Sequence, residues 1–340
     1  MAWVLALFLM QTFDWTAIGK NSAVHPIRER TFEFEYTVGE GVAVAALPLK
    51  DTSLAQMSSL RFSMKTDVPT AVAVVLNEKK PGGDYMAVCW STGNTWQKVE
   101  LTPSDFHLNS GPKDAVDPDG KLDLDAVVNI GILDLNSVFG ANIDPNSPVL
   151  MESHAGKHSL SIDEFEVAPA GTPVGAVPGV IDSFASPQLQ WITRGGVDLK
   201  PESHGMRAVY QQLDGKSVLL SRLLGGADLA GKDFLAFEVS SSKRAQLLMT
   251  FEELSPGKAQ GPRYNALVEV EGGGKVAHRE IDLSAFEHGP DSPEDSNGVL
   301  DLNRLKTFSI LDVTANDTHE TAKNSLWIGD IRGVSDGAKK

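Results

Sequence analysis

The chain predicts an all-β protein of two tandem antiparallel jelly-roll β-sandwich domains. Three observations predict it. Short runs that alternate or are continuously apolar follow one another, separated by Gly, Pro, Asn and Asp, which is the pattern of strands and turns. Helical periodicity is scarce. The stretch Tyr85 to Leu135 is also said again from Tyr264 to Val313: Tyr85-Met-Ala-Val, a Gly turn, Trp96-Gln-Lys-Val-Glu-Leu and Ser104-Asp-Phe106 answer to Tyr264-Asn-Ala-Leu, a Gly turn, Arg279-Glu-Ile-Asp-Leu and Ser284-Ala-Phe286. Asp117-Pro-Asp119-Gly-Lys-Leu-Asp123 is matched by Asp295-Ser-Asn297-Gly-Val-Leu-Asp301, and Ile132-Leu-Asp134-Leu by Ile310-Leu-Asp312-Val. A self-match over several segments at near-constant spacing points to duplication of a whole domain.

In chain order, Met1 to Met10 is apolar but too short to span a bilayer, and no positive region precedes it as a secretory signal requires. Val4-Leu-Ala-Leu-Phe8 followed by Trp15 parallels Val180-Ile-Asp-Ser-Phe184 followed by Trp191, which favours a first strand over a remnant signal. Strands are then expected over 31–36, 42–49, 60–65, 71–78, 85–90 and 96–101. Single helical turns are expected around Asp51 to Met57 and Asp123 to Val128, with Asp51 and Asp123 as N-caps. Strands 127–135 and 159–167 complete the first domain, 1–167. The segment 168–179, dense in Pro and Gly and free of charge, is a semi-extended linker. The second domain, 180–335, repeats the order and leaves a tail, 336–340.

With 340 residues, each domain is long enough to bury a core. A formal net charge of -15 with scattered basic residues excludes nucleic acid as a partner and leaves no polybasic membrane patch. No segment is long and apolar enough for a transmembrane helix. The single cysteine, Cys89, rules out an internal disulfide or a multi-Cys zinc site, and its apolar run predicts a buried, inert thiol. No Gly-x-Ser-x-Gly elbow, Walker loop or dinucleotide-binding glycine motif is present. His154 and His158 sit in a Gly-containing loop, where two solvated histidines are expected rather than zinc.

The opening Val-Ile-Asp-x-Phe, the Tyr strand, Trp96-Gln-Lys-Val-x-Leu with Ser104-Asp-Phe106, the Gly-x-Leu-Asp turn and the closing Ile-Asp-x-Phe resemble the galactose-binding-domain-like β-sandwiches. That superfamily includes several carbohydrate-binding modules and the complex I intermediate-associated protein 30 group. The resemblance covers both halves. It implies sugar binding in a concave groove or at loop tips, a structural calcium ion in many members, and attachment or assembly roles rather than catalysis.

Strand alternation separates candidate binding faces. In the second domain Tyr264, Ala266, Val268 and Val270 are predicted inward, as are Leu247, Met249 and Phe251. Glu252, Arg263, Asn265 and Glu269 then point out and could hydrogen-bond sugar hydroxyls, although an ordinary solvent face is the default account of the same residues. The same register in the first domain turns Met86, Val88 and Trp90 outward beside Val72, Val74, Leu76 and Glu78. Both faces of that sheet would be apolar, so something covers the outer one. The second domain, another copy in a homo-oligomer, another protein subunit, or a sugar ring stacked on Trp90 would each serve.

Asp117, Asp119 and Asp123, and their echo Asp295, Asn297 and Asp301, place oxygen ligands around a Gly turn at a spacing that suits calcium. An Asp-Gly turn followed by an N-cap explains the same residues without metal. Asp182 and Asp330 form a second calcium candidate suggested by the resemblance. The function expected is a non-enzymatic tandem carbohydrate-binding protein of the cell envelope, periplasm, cell surface or exterior. The alternative is a structural or assembly subunit docking through the apolar outer face of the first domain.

Overall fold

The computed structural model describes residues 13–336 apart from 51–52, 112, 115, 141–143, 145, 152–153, 170–176, 187, 195 and 259, together with all but the side chains of 225–227 in that span. The strand expected near residues 4–8, most of the linker and most of the tail lie outside the described residues.

The first half contains β1 (Thr16–Ile18), β2 (Ala23–Arg28), β3 (Thr31–Val38), β4 (Val44–Pro48), β5 (Met57–Thr66), β6 (Thr70–Glu78), β7 (Asp84–Ser91), β8 (Gln97–Leu101), β9 (His107–Leu108), β10 (Val127–Asp134), the short helix α1 (Leu135–Phe139) and β11 (Gly156–Pro169). The second contains β12 (Val180–Asp182), β13 (Trp191–Thr193), β14 (Val197–Glu202), β15 (Gly205–Gln212), β16 (Val218–Ala227), β17 (Phe234–Ser241), β18 (Ala245–Glu253), β19 (Arg263–Val270), β20 (Ala277–Asp282), β21 (Glu287–His288), β22 (Leu305–Asp312), the short helix α2 (Thr314–Thr318) and β23 (Ala322–Val334). The helical turns expected at 51–57 and 123–128 are not helices among the described residues; the Asp123 N–H is taken by the Glu78 carboxylate instead. β11 also runs on to Pro169, two residues into the expected linker.

Each half is a sandwich of two antiparallel sheets. The first pairs strands in the orders β1-β4-β10-β6-β7-β9 and β2-β3-β11-β5-β8, and the second in the orders β13-β16-β22-β18-β19-β21 and β14-β15-β23-β17-β20, with β12 added on β23. Place by place, the two orders coincide. Alternate residues fill each core: Phe32, Phe34 and Tyr36 of β3 face Ile130 and Ile132 of β10, as Met206, Ala208 and Tyr210 of β15 face Phe308 and Ile310 of β22. Each fully buried Phe or Ile among them contributes on the order of 1.5–3 kcal/mol. Both cores carry the same polar tie. Tyr36 donates to Asp134 Oδ2 at 2.7 Å and Tyr210 to Asp312 Oδ2 at 2.6 Å. The other oxygen of each aspartate accepts a main-chain N–H of the helical turn that follows, from Asn136 at 2.8 Å and from Thr314 at 3.0 Å.

The parity expected for β6 is corrected. Val72, Val74 and Leu76 point into the first core, and the outward set is Ala71, Ala73 and Val75, paired with Trp90, Val88 and Met86 of β7. With apolar residues on both faces, alternation left the strand free to be read either way. Met86, Val88 and Trp90 do face outward, but they are covered by the second sandwich. Trp90, Val88, Ala71, Ala73 and Leu133 share one hydrophobic cluster with Leu189, Ile192 and Leu199. Hydrogen bonds fasten the contact: Trp90 N to Leu189 O at 2.8 Å, Trp90 Nε1 to Leu199 O at 3.1 Å, and Gln190 Nε2 to Asp105 Oδ1 at 2.7 Å. The apolar face that suggested docking to a separate subunit is thus occupied within the chain.

Candidate ligand-binding cleft

A cleft of about 500 Å³ opens where the sandwiches meet. Its floor is apolar, made by Ala71 and Trp90 of the first sheet with Leu135 and Phe139 of α1. Asp134 places Phe139 there, because its side chain caps α1 and turns the chain back across the end of the sheet. The Arg194 guanidinium lies over the Phe139 ring, 5.0 Å from its centroid. Trp90 is held by its bond to Leu199 and is only 4 % exposed.

The opposite wall is polar and comes from the second sandwich. Thr193 ends β13, Asp198 lies on β14, and Gln211 and Lys323 are direct cross-strand neighbours on β15 and β23. Asp198 is paired to Lys200 at 2.9 Å. The Thr193 hydroxyl is buried within this wall and has no hydrogen-bond partner, so it is not among the groups the cleft offers to a ligand. Pro69, Thr70, Asn136 and His154 complete the first sandwich's contribution. Beneath the floor, Asn136 Nδ2 donates to Thr70 Oγ1 at 3.0 Å, and Thr70 donates to the buried carboxylate of Asp134. Burial pushes the Asp134 carboxyl above the usual carboxylate range, against the opposing pull of Thr70 and Tyr36.

An apolar floor, a few convergent polar groups and a position between domains are the attributes of a small-molecule site. Asp198 is the only carboxylate among the described lining residues, and it is already ion-paired. The two facing carboxylates that glycoside hydrolysis uses are therefore not assembled among them.

Of the binding candidates named from the sequence only Trp90 reaches this cleft, joined by His154, which was expected to be a solvated loop histidine. Leu76 is in the first core. Glu78 is 7 % exposed and braces the loops around it, accepting from Gly83 N at 2.8 Å and Asp123 N at 2.5 Å. Met86 packs against the junction cluster. Glu252, Arg263, Asn265 and Glu269 lie on the outer side of the second six-stranded sheet, as expected, but their groups are engaged locally. Glu252 pairs with Lys306 at 3.1 Å, Asn265 accepts from Thr250 at 2.8 Å, Glu269 pairs with Arg244 at 2.9 Å, and Arg263 donates to Asp291 O at 2.7 Å.

The calcium candidates are spread over turns. Asp117 accepts from Tyr85, Asp119 accepts from Lys121 N at 3.0 Å, Asp295 accepts from Tyr264 at 2.5 Å, and Asn297 donates to Asp301 at 3.1 Å. Among the described residues no three His, Cys, Asp or Glu side chains gather as a metal site would require. Asp182 accepts from the Arg222 guanidinium at 2.7 Å and from Trp191 Nε1 at 2.9 Å, and Asp330 pairs with Arg332; β12 lies beside β23 with Asp182 opposite Ile331, so the two aspartates sit on adjoining strands, each with its own partner. Cys89 is buried as expected, and desolvation raises its thiol pKa. His158 is bonded to Asp67 at 2.9 Å and to the His154 carbonyl at 2.5 Å.

Phe139, Thr193, Asp198, Gln211 and Lys323 were not legible as a site, because they come from separate segments that meet only at the domain junction. The one local signal was Asp134 followed by Leu-Asn-Ser-Val-Phe139, an N-cap before a short helix.

No protein-family model matches the chain, and no curated protein matches it. Among solved structures, the family 11 carbohydrate-binding module from Clostridium thermocellum, in complex with a beta-1,3-1,4-mixed-linked tetrasaccharide, is similar over 47% of this chain and 98% of that one, at 16% identity and a TM-score of 0.38. The N-terminal CBM22-1-CBM22-2 tandem domain from Paenibacillus barcinonensis Xyn10C is similar over 94% of this chain and 92% of that one, at 11% identity and a TM-score of 0.29. A family 29 carbohydrate-binding module, CBM29-2 carrying the D114A change, is similar over 48% of this chain and 88% of that one, at 12% identity and a TM-score of 0.30.

Proposed function

We propose that this is a non-enzymatic carbohydrate-binding protein whose ligand occupies the cleft between its two sandwiches. The observation that carries the reading is the pairing of an apolar floor at Trp90 and Phe139 with a polar wall of Asp198, Gln211 and Lys323. A saccharide has that same division, with C–H groups on the faces of its ring and hydroxyls around the edge, so it satisfies both sides of the cleft together. Membership of the galactose-binding-domain-like superfamily, descent of both halves from one duplicated module, and action at the cell envelope or outside the cell belong to the same proposal. The coincident strand orders and the paired Tyr36–Asp134 and Tyr210–Asp312 ties support the duplication.

A glycan array with the full chain, followed by calorimetry on the saccharide class that binds, tests the reading. Gln211→Ala and Lys323→Ala each should weaken binding about tenfold, the loss of roughly one good hydrogen bond. An array with no binding, or affinities that both variants leave untouched, overturns it.

A further inference from the structure

The cleft does not close at Lys323. Along the outer side of β23 the residues after it are Ser325, Trp327 and Gly329, with Gln211, Val209, Arg207 and Gly205 of β15 directly opposite. These side chains face away from the core, because Asn324, Leu326 and Ile328 between them are buried. At about 3.3 Å per residue, Lys323 and Trp327 stand roughly 13 Å apart on one open face.

At the far end of this row the two cross-strand glycines leave a bare patch of backbone, and the indole of Trp327 lies over it. A Cβ placed on Gly205 would come within 2.7 Å of a Trp327 ring atom, and one placed on Gly329 within 2.5 Å. The indole is thereby held close against the backbone of the two glycines. Between the two ends, the Arg207 guanidinium is fixed by Glu202 at 2.5 and 2.8 Å and donates to Ser325 Oγ at 3.2 Å. The first sandwich has no such row: the positions of Gly205, Trp327 and Gly329 are held by Thr31, Ser161 and Asp163, and Asp163 is ion-paired to Arg28.

We propose that the ligand is an extended oligosaccharide, anchored at one end in the cleft and running over Ser325 and Arg207 to stack a distal ring on Trp327. This rests on the carbohydrate reading of the cleft and adds a second subsite, a direction and a preference for chain length. A partly exposed indole backed by glycines offers a sugar an aromatic surface with little side-chain entropy left to lose. The fixed guanidinium supplies donors to hydroxyls along the way.

The test compares a disaccharide and a hexasaccharide of whichever class binds on the array, by calorimetry with the full chain. The hexasaccharide should bind wild type at least about tenfold more tightly than the disaccharide. Trp327→Ala should remove that gain and leave the disaccharide affinity unchanged, and Trp327→Phe should restore part of it. Ser325→Glu, which obstructs the row without touching either end, should act like Trp327→Ala and serves if loss of the indole compromises folding. Equal affinities for the two lengths, or a length gain that survives both Trp327→Ala and Ser325→Glu, overturn the second subsite and leave the cleft reading standing. If Trp327→Ala lowers only the melting temperature, the indole merely covers the glycines and the proposal fails. Absence of binding by every class removes the cleft reading, and this one with it.

Discussion

Trp90 donates its indole N–H to the main-chain carbonyl of Leu199 at 3.1 Å, so the outer face of the first sandwich is bonded to the second as well as packed against it. Trp90→Ala should therefore cost about 3–5 kcal/mol. Scanning calorimetry should show the two sandwiches unfolding as one transition in wild type and as two in the variant. Two transitions in wild type would show that the junction does not couple them.

Leu76→Ser separates this junction from the core. Leu76 is fully buried inside the first sandwich, so the change puts a hydroxyl among Val74, Tyr85 and Ile130 and should lower stability by several kcal/mol. The midpoint of urea unfolding should fall while the native protein's mass in solution stays unchanged. A change of mass without loss of stability would place Leu76 on the surface.

Asp134 gives a pH signature. Burial raises its carboxyl pKa in the folded protein above the unfolded value, so the folded state binds the proton more tightly. Its contribution to stability is then fully present below the unfolded carboxylate pKa and is lost as pH rises through the folded one. Melting temperature followed upward from acid pH should fall in wild type relative to Asp134→Asn, which does not titrate. Parallel curves for the two proteins would show that the folded and unfolded states hold the Asp134 proton equally, with no shift on folding.

Glu253 is the second sandwich's counterpart of Glu78, 2 % exposed and accepting from Asp301 N at 2.7 Å. Glu253→Ala leaves that N–H without its acceptor and should cost about 1–3 kcal/mol. Glu253→Gln keeps an acceptor oxygen and, because burial disfavours the charged form, should cost less. Chemical denaturation of both variants decides, and equal losses would mean that the carboxylate's charge is what the loop requires.

The Asp295 turn bears on calcium. Its carboxylate already accepts from Tyr264 at 2.5 Å, and Asn297 is turned toward Asp301. Millimolar calcium or excess chelator should move the melting temperature by less than about 1 °C, since a ligand stabilises only through occupancy of the folded state. A saturable rise of several degrees would place a cation at this turn or its Asp117 counterpart.

Much of the fold was legible, because strand signals such as Thr31–Val38 and Arg263–Val270 are local and are repeated in each half. The direction of β6 was not. With Ala71, Ala73 and Val75 on one face and Val72, Val74 and Leu76 on the other, only the mating surface decides which is inside. That surface belongs to residues more than a hundred positions away. The outward facing of Trp90 was readable from its register, and the need for a cover followed from it. What covered it was not readable, since Leu189, Ile192 and Leu199 carry nothing in sequence that marks them as its partners. The cleft shares this blindness: Phe139 and Lys323 are ordinary residues until two sandwiches bring them to one opening.

The covered face also has a consequence during synthesis. A ribosome finishes β11 at Pro169 well before it has made β23, which ends at Val334. At about 5–20 residues per second, the first sandwich waits on the order of ten to thirty seconds with Val88, Trp90 and Leu133 bare to the cell. For that interval the nascent chain is a half-product with a sticky side. Its yield should depend on translation speed and on chaperones that hold apolar surfaces, even though the finished protein hides that side within itself.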